Sequence, residues 1–437
     1  MVHGSVAPVN EKYSEYRGGL LSLSFLGLLL TQFLSVINDN LIKWLVAKIA
    51  VHHVGEQWQG WALGGGSAAF VLPFILFASP AGYLADRFSK GQVIVYVKAI
   101  ELVVAVLAVL AIYAENIPLM FLTLFLLGTQ ASLFGPAKLG SIPELLKSEK
   151  LSIANGIANL ATVVAIIVGT IAGFELYVRT GKTDGMGPVN VPGYGTMNGL
   201  VVSGAVMLGL AILGLAASFC IKAVPAANPQ RTFHWNLISS SRRDLRLISR
   251  DKFLMKIALG QAFFWSLACL AQLNLVPYAK SELQLNEVHT GYLMGVMAFG
   301  VCVGSVVAGV WSGKRVELRL VPVAAVGLVF CGCMLYFSQN SHRMTMVWLF
   351  FLGAFGGAYD VPLMAYLQKY SREEERGSVF AANNFLTFAG MFVVSLLFSV
   401  LTDFFEVSPP TIFLLSGLIT LPVGYGMYRL SLTKPSA

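Results

Sequence analysis

Long apolar runs, separated by short polar turns, dominate the chain. Runs long enough to cross hydrocarbon as a helix, about 20 residues each, lie at 20–50, 60–84, 92–114, 117–136, 152–178 and 199–222. A second set lies at 255–279, 290–312, 320–338, 345–366, 379–402 and 410–430. The pattern predicts an all-α membrane protein of twelve transmembrane helices in two six-helix halves, residues 1–222 and 255–437. Between them, residues 223–254 form a basic linker. Its Arg231, Arg242, Arg243, Arg246 and Arg250 interleave with Trp235, Leu237, Ile238, Leu245 and Ile248. That alternation predicts an amphipathic helix lying on an anionic lipid surface.

The two sets read as an internal repeat. Gly82-Tyr83-Leu84-Ala85 closes span two, and Gly309-Val310-Trp311-Ser312 closes span eight, each before a basic turn. Pro136 and Pro362 end spans four and ten, and Gln32 and Gln261 sit at nearly the same offset. Duplicated halves joined by a basic loop indicate a transporter whose site lies between the halves near the bilayer midplane.

Composition agrees. Of 437 residues, 56% are hydrophobic and 12% charged, with mean hydropathy +0.71, which excludes a soluble multidomain enzyme. The net charge of +8 does not imply nucleic acid, because 22 of the 30 Lys and Arg residues fall in one alternating set of loops and the termini. Only Arg179, Lys182, Lys280 and Arg343 fall in the opposite loops. This asymmetry places both termini in the cytoplasm. The polar first twenty residues carry no cleavable signal pattern. The five cysteines lie in apolar runs and the six histidines form no cluster, so neither metal site, cofactor nor disulfide framework is expected. Gly169/Gly173 and Gly300/Gly304 have the small-xxx-small spacing that lets helix backbones approach in lipid.

Against this apolar background, a few polar residues mark candidate chemistry. A carboxylate at membrane depth costs roughly 2.5–3.5 kcal/mol on insertion scales, so Asp39 in span one needs a partner or a watery cavity. Asp39 and Lys43 share a helix face with Gln32, and Asn40 adjoins them. Asp39 is read as meeting a cationic head group or pairing with Lys43 or Lys138; the alternative is a fixed ion pair between helices. Lys138 follows an expected helix break at Gly135-Pro136 and suits a lipid phosphate, or snorkels as an anchor. Asn155 and Asn159 share a face of span five. Glu101 is expected to pair with Lys98, and Glu175 and Asp360 are weaker candidates. Gln261 and Trp265, with Gln272 and Asn274, give the second half its polar wall.

Gly82-Tyr83-Leu84-Ala85-Asp86-Arg87-Phe88-Ser89-Lys90 resembles the loop signature between spans two and three of the major facilitator superfamily. The resemblance implies a conformational latch: Gly82 for close helix approach, Asp86 as acceptor, Arg87 and Lys90 on the cytoplasmic side, Glu144 as nearby partner. A narrower resemblance rests on Gln32-Phe33-Leu34-Ser35 with Asp39-Asn40, on Asp86-Arg87-Phe88-Ser89-Lys90-Gly91, and on Phe134-Gly135-Pro136-Ala137-Lys138-Leu139-Gly140-Ser141-Ile142-Pro143-Glu144-Leu145. These segments are similar to the bacterial lysophospholipid transporter (LplT-type) family, most clearly over residues 30–175; Gly135 and Leu139 depart from its pattern. The resemblance implies lysophospholipid flipping across the bacterial inner membrane by a monomer, feeding a separate acyltransferase. A proton-coupled drug exporter is the alternative, although the stretch from Val164 to Phe174 lacks the Gly-Pro signature usual in such exporters. With no nucleophile triad, metal cluster or phosphate loop, an enzyme is not expected.

Overall fold

A glycine closes the first helix of the chain and a proline opens the last. A computed structural model describes residues 18–146, 150–180, 188–191, 195–226, 228–230, 237–312, 317–370 and 376–433. The first helix, α1 (Leu23–Val54), ends at Gly55, whose positive φ of 82° turns the chain as its N–H closes on the Val51 carbonyl at 3.1 Å. The others in the first half are α2 (Gln59–Leu76), α3 (Ala78–Arg87), α4 (Lys90–Tyr113), α5 (Ile117–Leu145), α6 (Leu151–Thr180) and α7 (Gly199–Ser218). After the linker helix α8 (Leu237–Arg250) come α9 (Lys252–Ser281), α10 (Glu287–Ser312), α11 (Leu320–Phe337), α12 (His342–Tyr370), α13 (Arg376–Asp403) and α14 (Pro409–Thr433). Among the described residues eleven helices are long and apolar enough to cross a membrane, and the bent pair α2–α3, counted as one span, makes twelve. One departure from all-α structure is a short antiparallel hairpin between α6 and α7, strands β1 (Pro188–Val191) and β2 (Gly195–Asn198).

Span two is not the single straight helix that its hydropathy predicts. It bends by 52° between α2 and α3. Pro73 and Pro80 each lack the N–H that would bond four residues back, and Phe77 marks the joint. The expected break at Gly135-Pro136 is absent instead: α5 continues through Pro136 and Pro143 to Leu145. α12 likewise runs through Pro362. These helices run on despite the one backbone bond that each proline cannot make.

The repeat is visible in the pairing of helices. In the first half α1 packs on α6, α2 on α5, and α4 on α7; in the second, α9 packs on α13, α10 on α12, and α11 on α14. Glycines make the closest approaches. A Cβ at Gly173 would stand 2.9 Å from the Leu41 carbonyl of α1, while Gly169 lies against Ile37. Gly300 and Gly304 of α10 face Phe350 and Ala354 of α12 in the same manner. Both expected small-xxx-small pairs are therefore helix contacts.

An even number of crossings returns the start of α1 and the end of α14 to one side, the terminal side; the opposite side is distal. On the distal side one apolar core joins the halves, with Trp44, Leu63 and Phe174 from the first and Leu273, Tyr278, Met294 and Phe398 from the second. On the terminal side each half has its own core. Phe25, Leu28, Ile94, Phe134 and Ile142 fill one; Ile257, Leu328, Tyr359, Leu363 and Met427 fill the other. The halves meet through α2 against α13 and α6 against α10, which leaves α1, α5, α9 and α12 facing the space between them. Outward, Tyr96, Val103 and Leu110 of α4 and Val323, Val326 and Phe330 of α11 are exposed, the surface expected of lipid-facing helices.

The linker helix α8 differs from expectation. The part of its apolar side that is described does not lie free for a lipid surface: Ile248 is 1% exposed in the core of the second half, with Leu245 and Leu247 packed against that core, while the side chains of Leu237 and Ile238 lie outside the described residues. Trp235 lies outside the described residues.

Candidate functional site

Residues that α1 turns inward sort by helix face. Gln32 is buried and donates to the Ala158 carbonyl at 2.9 Å and to the Thr162 hydroxyl, so its amide ties α1 to α6. Asn40 donates to the Val36 carbonyl of its own helix at 2.8 Å. Asp39 accepts from Gln130 Nε2 of α5 at 3.1 Å. Among the described residues no lysine lies within ion-pair distance of Asp39. Lys43 instead stands over the rings of Trp44 and Phe70, at 5.2 and 5.9 Å from their centroids, and Lys138 over Phe134 at 5.8 Å. The expected pairing of Asp39 with Lys43 or Lys138 is thus not formed; an amide that does not change charge fills the place. The three charges remain half-buried along the cavity faces of α1 and α5, close enough to influence one another electrostatically.

Behind them lies a fully buried pair. Lys98 and Glu101, three residues apart on α4, form an ion pair at 0% and 1% side-chain exposure, as their spacing predicts. Ser35 of α1, one turn from Asp39, donates to Glu101 Oε2 at 3.0 Å. Asn38, also fully buried, has no hydrogen-bond partner for either amide atom among the described residues.

The second half contributes less charge. Gln261 Nε2 of α9 donates to Asp360 Oδ1 of α12 at 3.0 Å, and Trp265 follows Gln261 one turn later on α9. Gln32 and Gln261 each stand nine residues into their helices, so the repeat places one amide at the same depth in each half. One holds a helix carbonyl and the other a carboxylate. Lys43 lies near Cys269 across the gap.

Other candidates fall elsewhere. Asn155 and Asn159 lie on α6, with side chains outside the described residues. On the terminal side Lys90 and Glu144 form a buried ion pair between α4 and α5, and the Asp86 carbonyl accepts from the Asn228 N–H at 2.8 Å. Arg87 is half-buried nearby. Gly82 corrects the sequence reading: a Cβ there would meet nothing within 4 Å. Close approach on this side belongs to Gly91, where a Cβ would stand 2.8 Å from the Lys222 carbonyl of the segment after α7.

The distal closure has polar clasps that sequence reading missed. Asp403, at the end of α13, accepts from the Gly60 and Trp61 N–H groups at 2.8 and 2.7 Å, satisfying the first turn of α2. Ser399 donates to the Gly60 carbonyl at 2.9 Å. Lys48 of α1 pairs with Glu287 of α10 at 2.7 Å. A cleft of about 460 Å³ beside Asp403, lined also by Gln59, Lys280 and Glu406, opens on this distal surface and stands apart from the mid-membrane charges.

Three comparisons bear on identity. The family model described as Major Facilitator Superfamily matches residues 28–337 and 272–436. The lysophospholipid transporter LplT of Pectobacterium carotovorum subsp. carotovorum is 29% identical over 367 residues, covering 83% of this chain and 82% of its own. LplT of Escherichia coli O7:K1 is 26% identical over 378 residues, 84% and 85% of the two chains. Among solved structures, a bacterial homologue of the human lysosomal transporter Spinster superposes with TM-score 0.70 at 13% identity, over 94% of this chain and 96% of that one. A transporter of the POT family gives 0.72 at 11% identity, with the same coverage. The chain belongs to the Major Facilitator Superfamily, and over most of its length it is similar to the lysophospholipid transporters LplT.

Proposed function

We propose that the protein moves lysophospholipids across the bacterial inner membrane. The observation that carries this reading is the set of half-buried charges Asp39, Lys43 and Lys138 on α1 and α5, in a chain similar to LplT over more than four-fifths of its length. A lysophospholipid needs a polar pocket for its head and an apolar surface for its single tail. Lys138 and Lys43 would hold the phosphate. Asp39, held by Gln130, would set the distance between the two ammonium groups and meet any cationic group close to the phosphate.

The terminal side is the cytoplasmic side in this reading, since the basic loops gather there. With one core joining the halves distally and separate cores at the terminal side, the conformation corresponds to a site open to the cytoplasm. Alternating access would break the distal clasps and bring the terminal ends together, with Asp86, Arg87 and the Lys90–Glu144 pair meeting the second half there. Movement toward the cytoplasmic leaflet would deliver substrate for re-acylation by a separate enzyme.

The test is reconstitution. Proteoliposomes should move labelled lysophosphatidylethanolamine between leaflets well above the protein-free rate, with or without an imposed pH gradient. Absence of movement contradicts the reading; movement that requires the gradient favours a proton-coupled exporter on the same fold.

A further inference from the structure

The membrane-embedded parts of the second half hold one charge. α9 has no charged residue between Lys256 and Lys280, α10 none after His289, and α11 none at all. α13 has none between Arg376 and Asp403, and α14 has only Arg429 near its end. α12 has Asp360 alone between Arg343 and Lys369. Asp360 is half-buried, and Trp265 is 40% exposed. Gln261, at 1% exposure, donates to the carboxylate through Nε2, while its own Oε1 has no hydrogen-bond partner among the described residues. A half-buried carboxylate, a buried amide oxygen beside it that lacks a donor and a partly exposed indole one turn away form a set that recognises a cation carrying N–H groups or methyls.

The first half has the opposite balance. Lys98 and Glu101 cancel each other, Lys48 is paired with Glu287 and Glu175 lies near the distal end of α6, so on the facing helices α1 and α5 Lys43 and Lys138 stand against Asp39, one positive charge in excess there. The two excesses are carried by α1 and α5 on one wall and by α12 on the other. A head group with a single negative charge would satisfy the first wall and leave Asp360 without a counter-charge at membrane depth, which is costly.

We propose that Asp360, Gln261 and Trp265 form a subsite for the ammonium group of a zwitterionic head, which lies across the gap with its phosphate toward Lys43 and Lys138. The inference rests on the lysophospholipid reading above and adds to it which head groups are preferred. It makes Asp360 a specificity-determining residue and gives the second half a binding role absent from its other helices.

The test compares two substrates with the same tail and phosphate in proteoliposomes: lysophosphatidylethanolamine, which carries an ammonium, and lysophosphatidylglycerol, which does not. The wild type should favour the zwitterion. Asp360→Asn should lower the ratio of the two rates about tenfold, a change in differential transition-state binding. Trp265→Leu should lower the same ratio and serves if Asp360→Asn fails to fold. Both rates falling in parallel, with the ratio unchanged, would make the cluster structural and overturn the inference while leaving the flippase reading intact. A wild type that moves neither lipid overturns that reading and the inference with it.

Discussion

Lys98 and Glu101 are the most completely buried charges of the first half, and each exists for the other. Removing one partner leaves a charge with no compensation in a low-dielectric interior, a cost of about 3–5 kcal/mol in buried pairs. Lys98→Met alone should therefore lower the thermal unfolding temperature sharply, with Lys98→Met/Glu101→Gln less affected than Lys98→Met alone. Additive losses would show that the pair is not coupled. This pair was legible in the sequence because both members lie on one helix at a three-residue spacing. Asp39 was legible too, as a costly charge in an apolar run, but its partner was not. Gln130 is a single amide on α5, and only the approach of α5 to α1 brings it to the carboxylate. Gln32 shows the reverse: its position along α1 points to the same side as Asp39, yet α6 takes its amide.

Helices were legible where hydrophobic length alone decides. The runs at 255–279 and 290–312, for example, lie within α9 and α10. Prolines were harder to read. Pro73 and Pro80 bend span two, whereas Pro136 and Pro362 sit inside continuous helices, since neighbouring helices decide whether the lost bond opens the chain. α8 has the alternation of a surface helix and packs against α13 and α9 instead, because apolar residues on one face do not say what covers them. The glycine pairs were readable by spacing and carry a definite cost of substitution. Gly173→Val would drive side-chain atoms into the Leu41 backbone of α1, and overpacking of this kind costs typically 1–3 kcal/mol. Loss of monodisperse protein or a lower unfolding temperature is the expected outcome, with the wild-type value contradicting it. Gly82→Ala, with open space at the Cβ, should be tolerated in the same measurement.

The whole molecule is two copies of one helix arrangement, sharing one apolar core at the distal side and keeping separate cores at the terminal side, where the linker helix α8 touches α3. That the fold is a duplicated transporter was legible from offsets such as Gln32 to Gln261. The distal clasps were not: Asp403 is the last residue of α13 and Lys48 lies in the distal part of α1, and only the meeting of the halves gives them partners. If those clasps hold the distal side shut, Asp403→Ala and Lys48→Ala should raise distal-side labelling of Cys269, which is buried between the halves, in a protein where it is the only cysteine. Unchanged labelling would mean that the apolar core alone keeps the side closed. The central claim is that the charges of α1 and α5 hold a lysophospholipid head between the halves, and one measurement addresses it most directly. In proteoliposomes, the initial rate of labelled lysophosphatidylethanolamine transfer should fall at least about tenfold, or about 1.4 kcal/mol, in both Asp39→Asn and Lys138→Ala, each verified to unfold near the wild-type temperature. Wild-type rates in both variants would contradict the account.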